Sequence, residues 1–155
     1  MLKKILPGII VGIFAALFIA AFALKDKMNS TISDMMRQQA SPMVNSTGEA
    51  LVDSLYNYSA HGSAYEITFL EFGSKGCSAC KRMEAVMEDI SREYPEKVNV
   101  VFLNVLTPES QTLMKYYGIA AIPTQVLLNK EGKELFRHTG FLSKVEIDHH
   151  IASKN

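Results

Sequence analysis

The sequence predicts an α/β domain, a central four-stranded mixed sheet flanked by helices, carried behind an N-terminal transmembrane helix. Three observations predict it. A charge-free apolar run covers Ile5 to Leu24. Two β-type runs, Tyr65 to Phe72 and Val98 to Val105, are separated by a stretch of helical periodicity, which makes them a parallel pair joined by a crossover helix. Two further runs, Thr124 to Leu128 and Lys133 to His138, are joined by Asn129-Lys130-Glu131-Gly132, a hairpin turn that adds antiparallel strands.

The 155 residues suit one modest domain with an appendage, and the formal net charge of zero gives no drive toward nucleic acid or an acidic substrate. The apolar run is about 20 residues, or roughly 30 Å as a helix, the thickness of a hydrocarbon core. Lys3 and Lys4 precede it, and Lys25 and Lys27 follow. Ala21-Phe22-Ala23 resembles a cleavage site, so a signal peptide removed on export is the alternative. The run exceeds the usual signal core of about 7–15 residues, which favours an uncleaved anchor. A short basic head favours an N terminus in the cytoplasm. Both readings put the body of the chain outside the cytoplasm, membrane-anchored or secreted after cleavage. Residues 1–27 are read as anchor or signal, 28–45 as a polar tether with helical turns around Ile32 to Gln39, and 46–155 as the domain.

Within the domain, Ser46-x-x-Glu49 is a capping box for a helix striped by Leu51, Val52, Leu55 and Tyr58, and Gly62 can end it. The first strand follows. From Ser78 to Tyr94, the positions Cys80, Met83, Val86, Met87, Ile90 and Tyr94 keep helical spacing, and Pro95 stops them. After the β-branched second strand, Thr107-Pro108-Glu109 supplies an N-cap, a proline at the first helical position and an acid in the first turn. That helix runs to Tyr117 and closes at Gly118. The hairpin comes next. Ser143-x-x-Glu146 is a second capping box, with Leu142 and Ile147 placed as a hydrophobic staple for a short last helix.

The chain has two cysteines, Cys77 and Cys80, both in Cys77-Ser78-Ala79-Cys80. A bridge between cysteines three apart closes too small a loop to stabilise a fold much, so the pair reads as reactive. The motif follows a strand and opens a helix, which is the placement thiol–disulfide exchange needs. Cys77 falls at the helix mouth, where unpaired N–H groups and the helix dipole favour a thiolate, and its pKa is expected below the free value of about 8.5. Lys75, Lys81 and Arg82 either add to that field or form a solvated helix start. Cys80, one turn in on the apolar face, is expected to be buried and to act as the resolving thiol. Glu71 lies among Phe69 and Phe72, facing either an apolar interior or a solvated edge. In the interior its pKa is raised, and it can take the Cys80 proton directly or through water. Neither His61, His138, His149 nor His150 falls at ligand spacing from the cysteines, so no metal site and no cofactor is expected.

Several separate segments resemble the thioredoxin superfamily, from about Ala64 to the C terminus. Gly76-Cys77-Ser78-Ala79-Cys80-Lys81 is similar to its active-site turn. Tyr117-Gly118-Ile119-Ala120-Ala121-Ile122-Pro123-Thr124 is similar to its second signature, which implies a cis bond before Pro123. Gly140 to Lys144 resembles the entry to its final helix, and Glu71 falls where thioredoxins carry a buried acid. Phe72-Gly73-x-x-x-Cys-x-x-Cys with Met83-Glu84 is similar to the thioredoxin-like domains of exported, membrane-linked thiol reductases. The chain departs from thioredoxins in having Gly76 before the first cysteine, Ser-Ala between the pair, and Phe102 where a lysine neighbours the buried acid.

The resemblance implies a thioredoxin-like fold and a protein-disulfide oxidoreductase with Cys77, Cys80 and Glu71 as catalytic groups. It implies substrate contacts at Gly76, Ile122, Pro123 and Thr124, with an extended client pairing to the Ile122 backbone. The expected activity is reduction of protein disulfides through a mixed disulfide, fed by a membrane electron donor. A disulfide oxidase or isomerase, a non-catalytic peptide-binding module and a metal-delivery protein are the other readings.

Overall fold

The computed structural model describes residues 2–153, with the side chains of residues 2–9, 22, 25 and 26 outside the description. Four strands form one sheet in the order β2-β1-β3-β4: β1 (Ile67–Gly73), β2 (Val98–Asn104), β3 (Thr124–Asn129) and β4 (Glu134–Thr139). β1 pairs parallel to β2 and antiparallel to β3, and β3 pairs antiparallel to β4. Six helices accompany them: α1 (Leu2–Gln39), α2 (Pro42–Tyr56), α3 (Tyr58–His61), α4 (Ser78–Glu93), α5 (Pro108–Tyr116) and α6 (Lys144–Ala152).

Alternation along the strands divides the core in two. Leu70, Phe72, Val126 and Leu128 pack with Val52, Tyr56, Leu113 and Tyr117 of the α2–α5 side. Ile67, Phe69, Val98 and Leu127 pack with Met83, Val86 and Ile90 of α4 and with Ile147 and Ile151 of α6. The second face carries the cysteines.

Most predicted elements form within two residues of their expected ends, and the differences have local causes. α2 starts at Pro42, not near Ser46, because Ser41 is the better cap. Its side chain accepts the Val44 N–H at 3.3 Å, and Pro42 takes the first turn, where its missing N–H costs nothing. The helix breaks at Asn57, whose side chain caps α3, and Gly62 ends α3 at φ +70°. At α5, Thr107 is the N-cap residue but makes no side-chain capping bond, its hydroxyl donating back to the Asn104 carbonyl at 3.0 Å. The Ser143–Glu146 capping box forms in full, and Leu142 and Ile147 are both buried.

The segment read as a tether is helical. α1 continues unbroken through residues 28–39 and docks on the domain. Ser33 is buried, Arg37 pairs with Glu134 at 3.3 Å, and Gly118 at φ +59° lies so close beneath α1 that a Cβ there would run into the Ser33 carbonyl. The expected membrane-spanning stretch, residues 5–24, forms the earlier part of α1 and falls partly outside the described side chains. Among the described residues, no helix is long and apolar enough to cross a membrane. Within that stretch Val11, Phe14, Leu17, Phe18 and Ile19 are all exposed.

Candidate active site

The site is built where β1 ends and α4 begins. Ser74 to Gly76 turn the chain, with the Cys77 N–H donating to the Ser74 carbonyl at 3.2 Å. Cys77 is the N-cap residue of α4, and its Sγ accepts the Cys80 N–H at 3.2 Å. A sulfur in that position receives a backbone donor and faces the positive end of a 16-residue helix. Cys77 and Cys80 are joined as a disulfide. Cys77 is half-buried and Cys80 is only 2% exposed, so the two sulfurs differ in access.

Cys80 packs directly onto the sheet. A Cβ at Gly73 would come within 3.3 Å of the Cys80 Sγ and 2.9 Å of the Phe102 ring, so a side chain there would push on both. Glu71 lies two residues earlier on the same strand face, about 7 Å along β1. It is completely buried. Burial without a cation pushes its carboxyl up to about 8, and the Gln125 amide opposes part of that rise. Of the two orientations open to Glu71 in the sequence, the interior one is found.

Of the remaining predicted residues, Gly76 directly precedes Cys77 and Thr124 pairs with Phe72 near the end of β1. Gly76 is exposed, with open space where a side chain would stand. The Ile122–Pro123 bond is cis. Ile122 is half-buried, whereas Pro123 and Thr124 are buried. The Thr124 hydroxyl donates to the Ala121 carbonyl at 2.8 Å and pairs with Thr139 of β4 at 3.0 Å, so its hydrogen bonding ties the loop to the sheet. Lys75 and Lys81 are exposed, and Arg82 lies over the Phe141 ring at 4.7 Å from its centroid. Among the described residues, no group of three or more His, Cys, Asp or Glu side chains is placed to hold a metal ion.

The thioredoxin-like domain family model matches residues 56–154, well over half of the chain. The chain belongs to the thioredoxin-like family. Its relatives include a thioredoxin of Buchnera aphidicola, 35% identical over 78 residues that cover 50% of this chain and 69% of that protein. The chloroplastic thioredoxin-like protein HCF164 of Oryza sativa is 29% identical over 98 residues, covering 59% of this chain but 37% of the plant protein. Among solved structures, the pneumococcal exposed lipoprotein thioredoxin of Streptococcus pneumoniae superposes with a TM-score of 0.52 at 21% identity, over 60% of this chain and 88% of that one, a likeness of fold.

With its cysteine pair at the helix mouth, this thioredoxin-like protein is a thiol–disulfide oxidoreductase. Proteins of the family act on protein thiols and disulfides. The sequence reading missed one polar partner in the site. Gln125 faces Glu71 across the β1–β3 pair, is fully buried, and donates to Glu71 Oε2 at 2.9 Å. A glutamine ahead of the apolar Val126-Leu127-Leu128 was its only trace in the sequence. Phe102, which stands where thioredoxins carry a lysine, pairs with Glu71 from β2 and leans over Gly73. An aromatic ring there offers the carboxylate no compensating charge.

Proposed function

We propose that this protein reduces disulfides in extracytoplasmic proteins, tethered to the membrane by its N-terminal helix. The carrying observation is the difference between the two sulfurs: Cys77 is reachable and dipole-facing, while Cys80, in the first turn of α4, is buried behind it against Gly73 of the strand that holds Glu71. The Cys77 thiolate attacks a client disulfide, forming a mixed disulfide and releasing one client thiolate, which takes a proton from water. Cys80 gives its proton to the Glu71 carboxylate and attacks the Cys77 sulfur. The Cys77–Cys80 bond forms, and the second client sulfur leaves. The client gains two electrons and the protein loses two.

A dithiol donor in the membrane must then restore the reduced pair. The anchor is supported by the charge-free run Ile5–Leu24 after Lys3 and Lys4, and by the exposed apolar side chains of its described part. The reducing direction rests on the likeness of the Phe72–Cys80 and Met83-Glu84 segments to exported thiol reductases.

The test is Cys80→Ser in the full-length protein. It is expected to accumulate client proteins linked through Cys77, released by dithiothreitol and absent from Cys77→Ser. Equal capture by both variants contradicts the assignment of the attacking sulfur. Equilibration of the Cys77–Cys80 pair with glutathione decides the direction: a strongly oxidising pair rules out the reductase reading.

A further inference from the structure

Glu71, Gln125 and His138 occupy one register row across three strands, on the face covered by α4 and α6, and Phe102 ends the row on β2. Gln125 is the middle member and the one with two fixed partners. Its Nε2 donates to Glu71 Oε2 at 2.9 Å and to the Gly140 carbonyl at 3.1 Å. Gly140 in turn donates its N–H to the Pro123 carbonyl at 2.8 Å. Two oxygens in this buried cluster have no partner: Glu71 Oε1 and Gln125 Oε1.

We propose that Gln125 is a positioning residue for the exchange reaction: anchored on the Gly140 carbonyl, its amide holds Glu71 Oε2 and leaves Oε1 to take the Cys80 proton. The Gly140 carbonyl fixes the amide orientation. Turning the amide over would set the Gln125 oxygen against that carbonyl, an acceptor against an acceptor. With Oε2 occupied by a donor, the carboxyl has one open oxygen. A buried group with an unfilled hydrogen-bonding position marks either a cost or a use, and here the position lies on the strand that Cys80 covers. In the resolving step the Cys80 S–H bond breaks, its proton forms the Oε1–H bond, and the sulfur displaces the client from Cys77.

The proposal rests on Glu71 being the proton acceptor. The titratable groups toward this face include Cys80 of α4, His138 of β4, and Glu146 and His150 of α6, the last stacked on Phe136; burial raises Glu71 and the Gln125 hydrogen bond opposes the rise. The amide bond favours the carboxylate. Without it, the carboxyl holds its own proton to higher pH, so at neutral pH a smaller fraction is ionised and open to the Cys80 proton.

The experiment follows the two successive thiolate releases when the reduced full-length protein meets an aromatic disulfide, 5,5′-dithiobis(2-nitrobenzoate), from pH 5 to 10. The first release reports attack by Cys77 and the second reports resolution. In the unsubstituted protein, resolution should accelerate as pH rises through about 8. Gln125→Met should move that limb up by about one pH unit and slow resolution at pH 7 about tenfold. The first release should keep its pH profile. Glu71→Gln should lack the limb, and adding Gln125→Met to it should change nothing further.

An unmoved limb in Gln125→Met, with the limb lost in Glu71→Gln, overturns the role of Gln125 alone. An equal slowing in both backgrounds overturns it as well, since that is a structural effect. A limb that survives Glu71→Gln removes the acceptor itself and the proposal with it. Should Gln125→Met fail to fold, side-chain amide NMR of the unsubstituted protein decides. The Gln125 Nε2 protons must titrate with the midpoint of the resolution limb, and amide signals indifferent to pH there contradict the proposal.

Discussion

Two side chains of the candidate site are each placed at some cost to the fold. Cys77 spends an N-cap position on sulfur, a weak acceptor, where Ser, Thr, Asp or Asn would hold the helix better. Glu71 places a carboxyl in an apolar layer. Its proton affinity in the folded chain is raised from 4.5 to about 8, so between these values the folded state binds more protons than the unfolded one. Stability from this group is fully present below about pH 4.5 and is lost as pH rises through about 8. Glu71→Gln keeps an acceptor for Gln125 and removes the titration. The variant should gain on the unsubstituted protein as pH rises, by a few kcal/mol at pH 9. Urea unfolding at pH 5, 7 and 9 measures this, and a stability difference that stays constant with pH contradicts the buried, uncompensated carboxyl.

At the scale of the elements, the legible parts were those whose signal is local. The Ser143–Glu146 capping box, the Asn129–Gly132 turn and the stripe Cys80, Met83, Val86, Ile90 each state their structure within a few residues. Ser46-x-x-Glu49 has the same form but lost to Ser41-Pro42 upstream, because once α2 had started, Ser46 was simply inside it. The long-range contacts left no local mark. Residues 28–39 do carry an apolar stripe, Met28, Ile32, Met35 and Met36, but it stays exposed; the docked end of α1 is held instead by a buried serine over a glycine and an arginine on Glu134. Gln125 likewise acquires meaning only when β3 is laid beside β1. The α1 contact has a direct check in Gly118→Ala. The left-handed backbone alone costs about 1 kcal/mol with a side chain, and the Cβ would also meet the Ser33 carbonyl and the Arg37 side chain. Tryptic cleavage after Arg37 should accelerate in this variant. An unchanged cleavage rate contradicts the docking of α1 at this point.

Over the whole molecule, one sheet keeps two jobs apart. One face packs α2 and α5, with the end of α1 docked beside α5 and β4. The other packs α4 and α6 and holds the row from Phe102 through Glu71 and Gln125 to His138. A cavity of about 340 Å³ on the α1–α2 side is lined by Arg37, Tyr117 and Glu134 and lies away from the cysteines. The cysteine pair instead opens on the surface at the start of α4, as suits a client as large as a protein. The direct measurement is alkylation of the reduced full-length protein by iodoacetamide from pH 4 to 10, with each cysteine followed by mass spectrometry. Cys77 should react with a midpoint below about 8.5 and Cys80 only well above it. A Cys77 midpoint at or above that value, or Cys80 reacting first, contradicts a thiolate held at the mouth of α4.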